Sequence, residues 1–204
     1  METIIVSSQE PGALDLSERL LGQGDLVAFP TDTVYGLGAA LFNHQAIDRL
    51  YVVKGRDIAK AIAVLVGDET ALEQVAGVLS GFAASLARRF WPGPLTLVVA
   101  AHPALPANLS PLPTVGVRMP DHPLALALLR RTGPLAVTSA NLSGEPSAVT
   151  AEEVYAQLNG RIPLILDGGH TPGGLPSTVV DCTGSEPVIL RPGPISLQQL
   201  TSEI

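Results

Sequence analysis

LVAFPTDTVYGLG, residues 26–38, sets a short apolar run directly before a loop of threonines and glycines. Leu26–Phe29 has the length and composition of a buried strand. Pro30–Gly38 then reads as a loop: Thr31 and Thr33 supply hydroxyls, and Gly36 and Gly38 let the backbone approach a neighbour closely. Alone, the loop is also satisfied by an ordinary turn in which Asp32 and the threonines bond their own backbone. It is not a Walker loop, and no Gly-x-Gly-x-x-Gly opens a helix here.

Working outward, short apolar strands alternate with modest helices. Strands are expected at Thr3–Val6, Ala61–Val66, Leu95–Ala100, Val115–Arg118, Leu135–Val137, Leu164–Leu166, Thr178–Val180 and Val188–Leu190. Apolar residues at helical spacing predict helices over Leu14–Leu21, Gln45–Val53, Glu69–Ala76, Ser80–Phe90 and Leu124–Arg131, with Asn43 and Asp68 as caps. Thr150-x-x-Glu153 and Ser196-x-x-Gln199 match the capping box and start helices at Ala151–Leu158 and Leu197–Ile204. No repeat or linker-like tract divides the chain, so one α/β domain over residues 1–204, with a twisted mixed sheet flanked by helices, is expected.

The chain has 204 residues, 46% apolar and 15% charged, a balance that excludes disorder. Its net charge of −7 excludes a uniformly basic coat for nucleic acid. Phe90–Val117 is long and almost uncharged, but six prolines exclude a membrane helix there. The start lacks a basic n-region, and the single cysteine, Cys182, reads as a packed thiol in a reducing compartment; a soluble cytoplasmic protein is expected.

Only two lysines occur, Lys54 and Lys60, and both flank Arg56 in KGRDIAK, residues 54–60. The bland reading is a solvated helix end. Gathering every lysine of an acidic protein in one Gly-containing turn also suits a polyphosphate. Arg118 and Arg191 each follow apolar strand residues and must emerge in a cleft or pair with a carboxylate, because unpaired burial is costly. If the topology joins these loops, five cations face one side. TSANLSG, residues 138–144, with Ser147 shortly after, puts hydroxyls at a strand's carboxyl end, where open α/β sheets hold ligands. A serine nucleophile would need a base, and none of His44, His102, His122 or His170 falls in a motif that pairs with Ser139. No Cys/His cluster has zinc-ligand spacing, so no protein-held metal is expected.

Seven ordered blocks, PTDTVYGLG (30–38), KGR (54–56), FWPGPLT (90–96), VRMPDHP (117–123), TSANLSG (138–144), PSTVVD (176–181) and LRPG (190–193), together resemble the YrdC family of L-threonylcarbamoyladenylate synthases over nearly the whole chain. The chain resembles the single-domain form. The resemblance implies a fold with a concave, positively charged cleft. It also implies an enzyme that joins ATP, L-threonine and bicarbonate into threonylcarbamoyl-AMP and pyrophosphate, with Mg²⁺ arriving on ATP. The product would feed a tRNA-modifying transferase complex; direct contact with tRNA stays open, and no membrane is involved. Carried over block by block, threonine would touch Thr33, Arg118, Val137 (through its backbone) and Ser177. ATP would touch Arg56, Lys60, Thr114, Ser139, Asn141, Ser147 and Arg191, with Lys54 and Arg56 carrying catalysis. Lys60 stands where several members have asparagine, and Leu65 where some have a histidine, which removes the basis for a polar side-chain contact there. The segment 168–176, rich in glycine and proline, is a candidate lid. Two other readings are an RNA-binding module using the same cleft without catalysis, which the 4% aromatic content disfavours, and a paralogue with a different acyl acceptor.

Overall fold

Why the sheet has a hollow follows from which residues each strand turns to each face. The computed structural model describes residues 2–201. Its strands are β1 (Ile4–Ser7), β2 (Val27–Phe29), β3 (Gly36–Ala40), β4 (Ala63–Leu65), β5 (Leu95–Ala100), β6 (Thr114–Arg118), β7 (Leu135–Ser139), β8 (Leu164–Asp167), β9 (Thr178–Asp181) and β10 (Val188–Arg191). They form one mixed sheet in the order β1-β8-β2-β3-β7-β4-β6-β5-β9-β10.

The helices are α1 (Ala13–Gly22), α2 (His44–Lys54), α3 (Glu69–Glu73), α4 (Gly81–Phe90), α5 (Pro123–Thr132), α6 (Ala151–Leu158) and α7 (Leu197–Thr201). Their starts follow the sequence signals. Asn43, Asp68, Ser80 and Thr150 each accept from the backbone amide three residues on, satisfying a donor that the first turn leaves free. In the Thr150 box the Glu153 carboxylate accepts from the Val149 amide at 2.8 Å, one residue before the cap itself. The Ser196 box is reciprocal: Gln199 Oε1 accepts from the Ser196 amide, and Ser196 Oγ from the Gln199 amide. Residues 202–204 of the helix expected to run to Ile204 lie outside the described residues. The helix expected over Glu69–Ala76 stops at Glu73.

β3 was not expected: residues 36–40 lie in or just after the segment read as a loop. Glycine is depleted in strands, but here the neighbours demand it. A Cβ on Gly36 would stand 2.9 Å from Val137 Cγ1, and one on Gly38 2.8 Å from Phe29 Cε1. β3 pairs antiparallel with β2 and β7 in the sheet interior.

One face of the sheet is covered along its length. Ala28, Leu37, Val64, Ala136, Val117, Leu97 and Val180 meet Ile47 and Leu50 of α2, Ala83 and Leu86 of α4, and Val154 and Leu158 of α6. The other face is covered only in part. α1 and α5 bring Ala13, Leu21, Ala125, Leu128 and Leu129 onto Val27, Phe29, Leu164 and Leu166, and that cluster reaches only as far as Leu65, Leu135 and Val137. Beyond it, the same face of β5, β6 and β9 looks into open space. No helix among the described residues is long and apolar enough to cross a membrane.

Candidate functional site

The uncovered part of that face is a hollow of about 410 Å³. Strand pleating decides its floor. Gly36, Ala63, Leu65, Thr96, Val98, Gly116, Arg118, Val137, Ser139, Val179 and Arg191 line it, and each pair two apart on one strand points the same way. The registers agree: Arg118 pairs with Leu65, Val137 with Ala63, Val179 with Thr96 and Arg191 with Val179. Small residues at Gly36, Ala63 and Gly116 make the floor deep. Loops supply the walls through Thr31, Thr33, Tyr35, Arg56, Ser147, Pro176 and Ser177.

Three guanidinium groups, of Arg56, Arg118 and Arg191, face this one space. Arg118 is 5% exposed and held from three sides. Its Nε donates to Gly93 O at 3.0 Å, Nη1 to Thr33 Oγ1 at 3.0 Å, and Nη2 to Asp32 Oδ1. Thr31 Oγ1 donates to Val34 O at 2.7 Å, so in its 3.0 Å contact with Thr33 the Thr33 hydroxyl is the donor. Thr33 Oγ1 therefore keeps a lone pair free for a ligand. Arg191 donates through Nε and Nη2 to Ser177 O and through Nη2 to Ser177 Oγ at 3.1 Å, and Ser177 Oγ lies 2.7 Å from Thr96 Oγ1. Arg56 is steadied by the carbonyls of Lys60 and Ala61.

Burial lowers the pKa of all three arginines, and Arg191 is lowered further by the positive charges of Arg118 and Arg56. None of the described lining residues is Asp or Glu. Asp32, just behind Arg118, pairs with that guanidinium, with its side chain 11% exposed. The arrangement suits an anion carrying several negative charges, held by forks and hydroxyls.

The predicted amino-acid contacts, Thr33, Arg118, Val137 and Ser177, all line the hollow, as do Arg56, Ser139, Ser147 and Arg191 from the predicted ATP set. Leu65 lines it as an apolar wall. Of the five expected cations, Arg56, Arg118 and Arg191 line the hollow; Lys60, exposed and next to the lining residue Ala61, does not line it, nor do Thr114 and Asn141. Lys54 is 3% exposed and turns its ammonium to the carbonyls of Ser139 and Asn141 rather than to the hollow. A lysine at a helix end meets carbonyls whenever a neighbouring turn presents them, and spacing does not show which way the side chain goes.

Thr31, read from the sequence as a hydroxyl of the loop, lines the hollow as well; Tyr35, Thr96, Val98, Gly116 and Val179 line it without having been expected to. Alternation held the signal, since Thr96 and Val98, like Gly116 and Arg118, lie two apart. The candidate lid is tied down at Gly169, whose carbonyl accepts from the Tyr35 hydroxyl at 2.8 Å, at Thr171, whose amide donates to Val149 O at 2.9 Å, and at Gly173, whose amide donates to Thr33 O at 3.0 Å. His170 does not line the hollow.

Known proteins resemble this chain in sequence and in overall fold. A model of the Sua5/YciO/YrdC family, described as telomere recombination, matches residues 19–193. A threonylcarbamoyl-AMP synthase of Bacillus subtilis is 48% identical over 191 residues, 91% of this chain and 54% of that protein. A putative threonylcarbamoyl-AMP synthase of Mycobacterium tuberculosis (strain H37Rv) is 44% identical over 178 residues, 87% of this chain and 82% of that one. The crystal structure of Pyrococcus abyssi Sua5 complexed with L-threonine superposes with a TM-score of 0.94 at 40% identity, covering 99% of this chain and 62% of that one. The chain thus spans little more than half of the Bacillus relative's length. A family model that runs from α1 to the end of β10, matched by relatives sharing two fifths or more of its residues, shows that the chain belongs to the Sua5/YciO/YrdC family.

Proposed function

We propose that the hollow makes threonylcarbamoyl-AMP from ATP, L-threonine and bicarbonate, releasing pyrophosphate and water. One observation carries this reading: three arginines face a single space in an acidic protein, and none of the described residues lining it is Asp or Glu. Relatives named for this reaction, and one solved with L-threonine, support it.

The chemistry asks little of a protein base. The threonine amine and bicarbonate give an N-carboxylate with loss of water, and that anion's oxygen attacks the α-phosphorus of ATP while pyrophosphate leaves. Catalysis then rests on alignment and charge dispersal, as in other phosphate-centred transfers. In this reading Arg118 receives the carboxylate or carbamate, with Thr33, Val137 and Ser177 around the amino acid. Arg56, Ser139, Ser147 and Arg191 hold the nucleotide, and Lys60 reaches the phosphates from outside the hollow. Mg²⁺ would enter on ATP, since none of the described lining residues is a carboxylate that could hold the ion before the nucleotide brings it. The enzyme is a nucleotidyltransferase of the cytoplasm whose product feeds a tRNA-modifying transferase complex.

The test is pyrophosphate release with and without threonine and bicarbonate. Release that needs all three substrates, and falls at least tenfold in Arg56→Ala, supports the reading. Release independent of threonine, or salt-sensitive RNA binding without turnover, removes it.

A further inference from the structure

Lys54 ends α2, where Gly55, with φ +59°, turns the chain away. Its Nζ donates to Ser139 O, to Asn141 O at 2.5 Å and to Asn141 Oδ1 at 3.4 Å. An ammonium has three donors, and all three are engaged. The same residue's carbonyl accepts from the Ser143 amide at 2.9 Å. Asn141 Nδ2 closes the turn on itself by donating to Leu142 O and Glu145 O at 2.8 and 2.7 Å. The Leu142 amide is taken in turn by Gln157 of α6. Helix, turn and helix are therefore fastened around one buried cation, whereas Ser139 and Ser147, at either end of the fastened segment, face the hollow.

We propose that Lys54 is a positioning residue: it works from behind the site, clamping the Ser139–Asn141 turn so that Ser139 and Ser147 meet the nucleotide, and its ammonium does not touch phosphate. All three donors are met by oxygens of the chain itself, so a phosphate contact would have to displace bonds already made in a buried setting. Asn141 belongs to the same clamp, which explains why it too lies outside the lining. The role rests on the nucleotide reading of the hollow, but its first test needs no nucleotide, so the two fail separately.

Because the chain has only two lysines, protein labelled with ¹⁵N-lysine gives two ammonium signals. Without nucleotide the Lys54 ammonium protons should exchange with water at least tenfold more slowly than those of Lys60. Saturating ATP should leave the Lys54 signal nearly unmoved. A Lys54 signal that exchanges as fast as that of Lys60 until ATP slows it overturns the proposal. In Lys54→Met, checked by thermal unfolding, the Ser143 and Glu145 amides should exchange at least tenfold faster in nucleotide-free protein, and KM for ATP should rise with KM for threonine little changed. Unchanged exchange in a folded variant that has lost ATP affinity shows a direct contact instead. If Lys54→Met does not fold, the wild-type ammonium measurement still decides.

Discussion

Asp32 bonds Nη2 of Arg118 with one carboxylate oxygen and keeps the other buried without a partner. The pair holds a guanidinium that would otherwise stand unpaired beneath a hollow already crowded with positive charge. Asp32→Ala should therefore cost on the order of 3 kcal/mol of stability, the cost of leaving a buried charge uncompensated. Urea unfolding reads this directly. In the surviving native protein KM for threonine should rise at least tenfold; unchanged stability would mean that Arg118 finds another partner.

Thr96 and Ser177 share a hydrogen bond on the floor of the hollow. Thr96→Val keeps the shape and deletes the hydroxyl, leaving Ser177 held by Arg191 alone. The expected cost is about 0.5–1.5 kcal/mol in kcat/KM for threonine, with KM for ATP nearly unchanged. Steady-state kinetics with each substrate varied in turn separates the two.

Gly116 keeps the floor low. A Cβ there would meet Thr96 Cγ2 at 3.2 Å and Ala63 Cβ at 3.6 Å, so the added bulk of valine must grow into the hollow. Gly116→Val should abolish threonine-dependent turnover while changing Tm by only a few degrees. Full activity would place the amino acid elsewhere.

Burial, aided by the charge of Arg56, lowers the Lys54 ammonium to about 8 from an ordinary 10.5. Above that pH a neutral amine has two donors for three acceptors, so kcat/KM for ATP should fall with an apparent pKa near 8, and this limb should be missing in Lys54→Met. The stability sign is opposite. Between pH 8 and 10.5 the unfolded chain holds this proton more tightly than the folded one, so the Lys54 contribution to stability rises with pH. Activity falling while the wild type gains stability relative to Lys54→Met ties the loss to the Lys54 ammonium and excludes unfolding as the cause.

Much of this was legible in the residues. Nine of the ten strands among the described residues were drawn close to their places, because three-to-six-residue apolar runs between turn residues leave few other readings. β3 escaped because its glycines signal a loop, and only Phe29 and Val137, distant in sequence, require them. The hydroxyls and arginines of the hollow were named from ordered blocks; Thr96 and Gly116 were not, since which face of a strand lies uncovered depends on where α1 and α5 stop. Lys54 was assigned to catalysis by its place beside Arg56. A cation's direction is set by the acceptors around it, and those come from residues more than eighty positions away.

β10 closes the sheet and bonds to one neighbour, β9, with Val188 and Leu190 more than half exposed. As an edge strand it is held by fewer strand pairings than β6, which lies between β4 and β5. The margin carrying Arg191 should therefore open more readily than the interior wall carrying Arg118. Amide exchange at Ile189–Arg191 should outpace that at Val115–Val117, and departure of the leaving pyrophosphate should keep time with that margin.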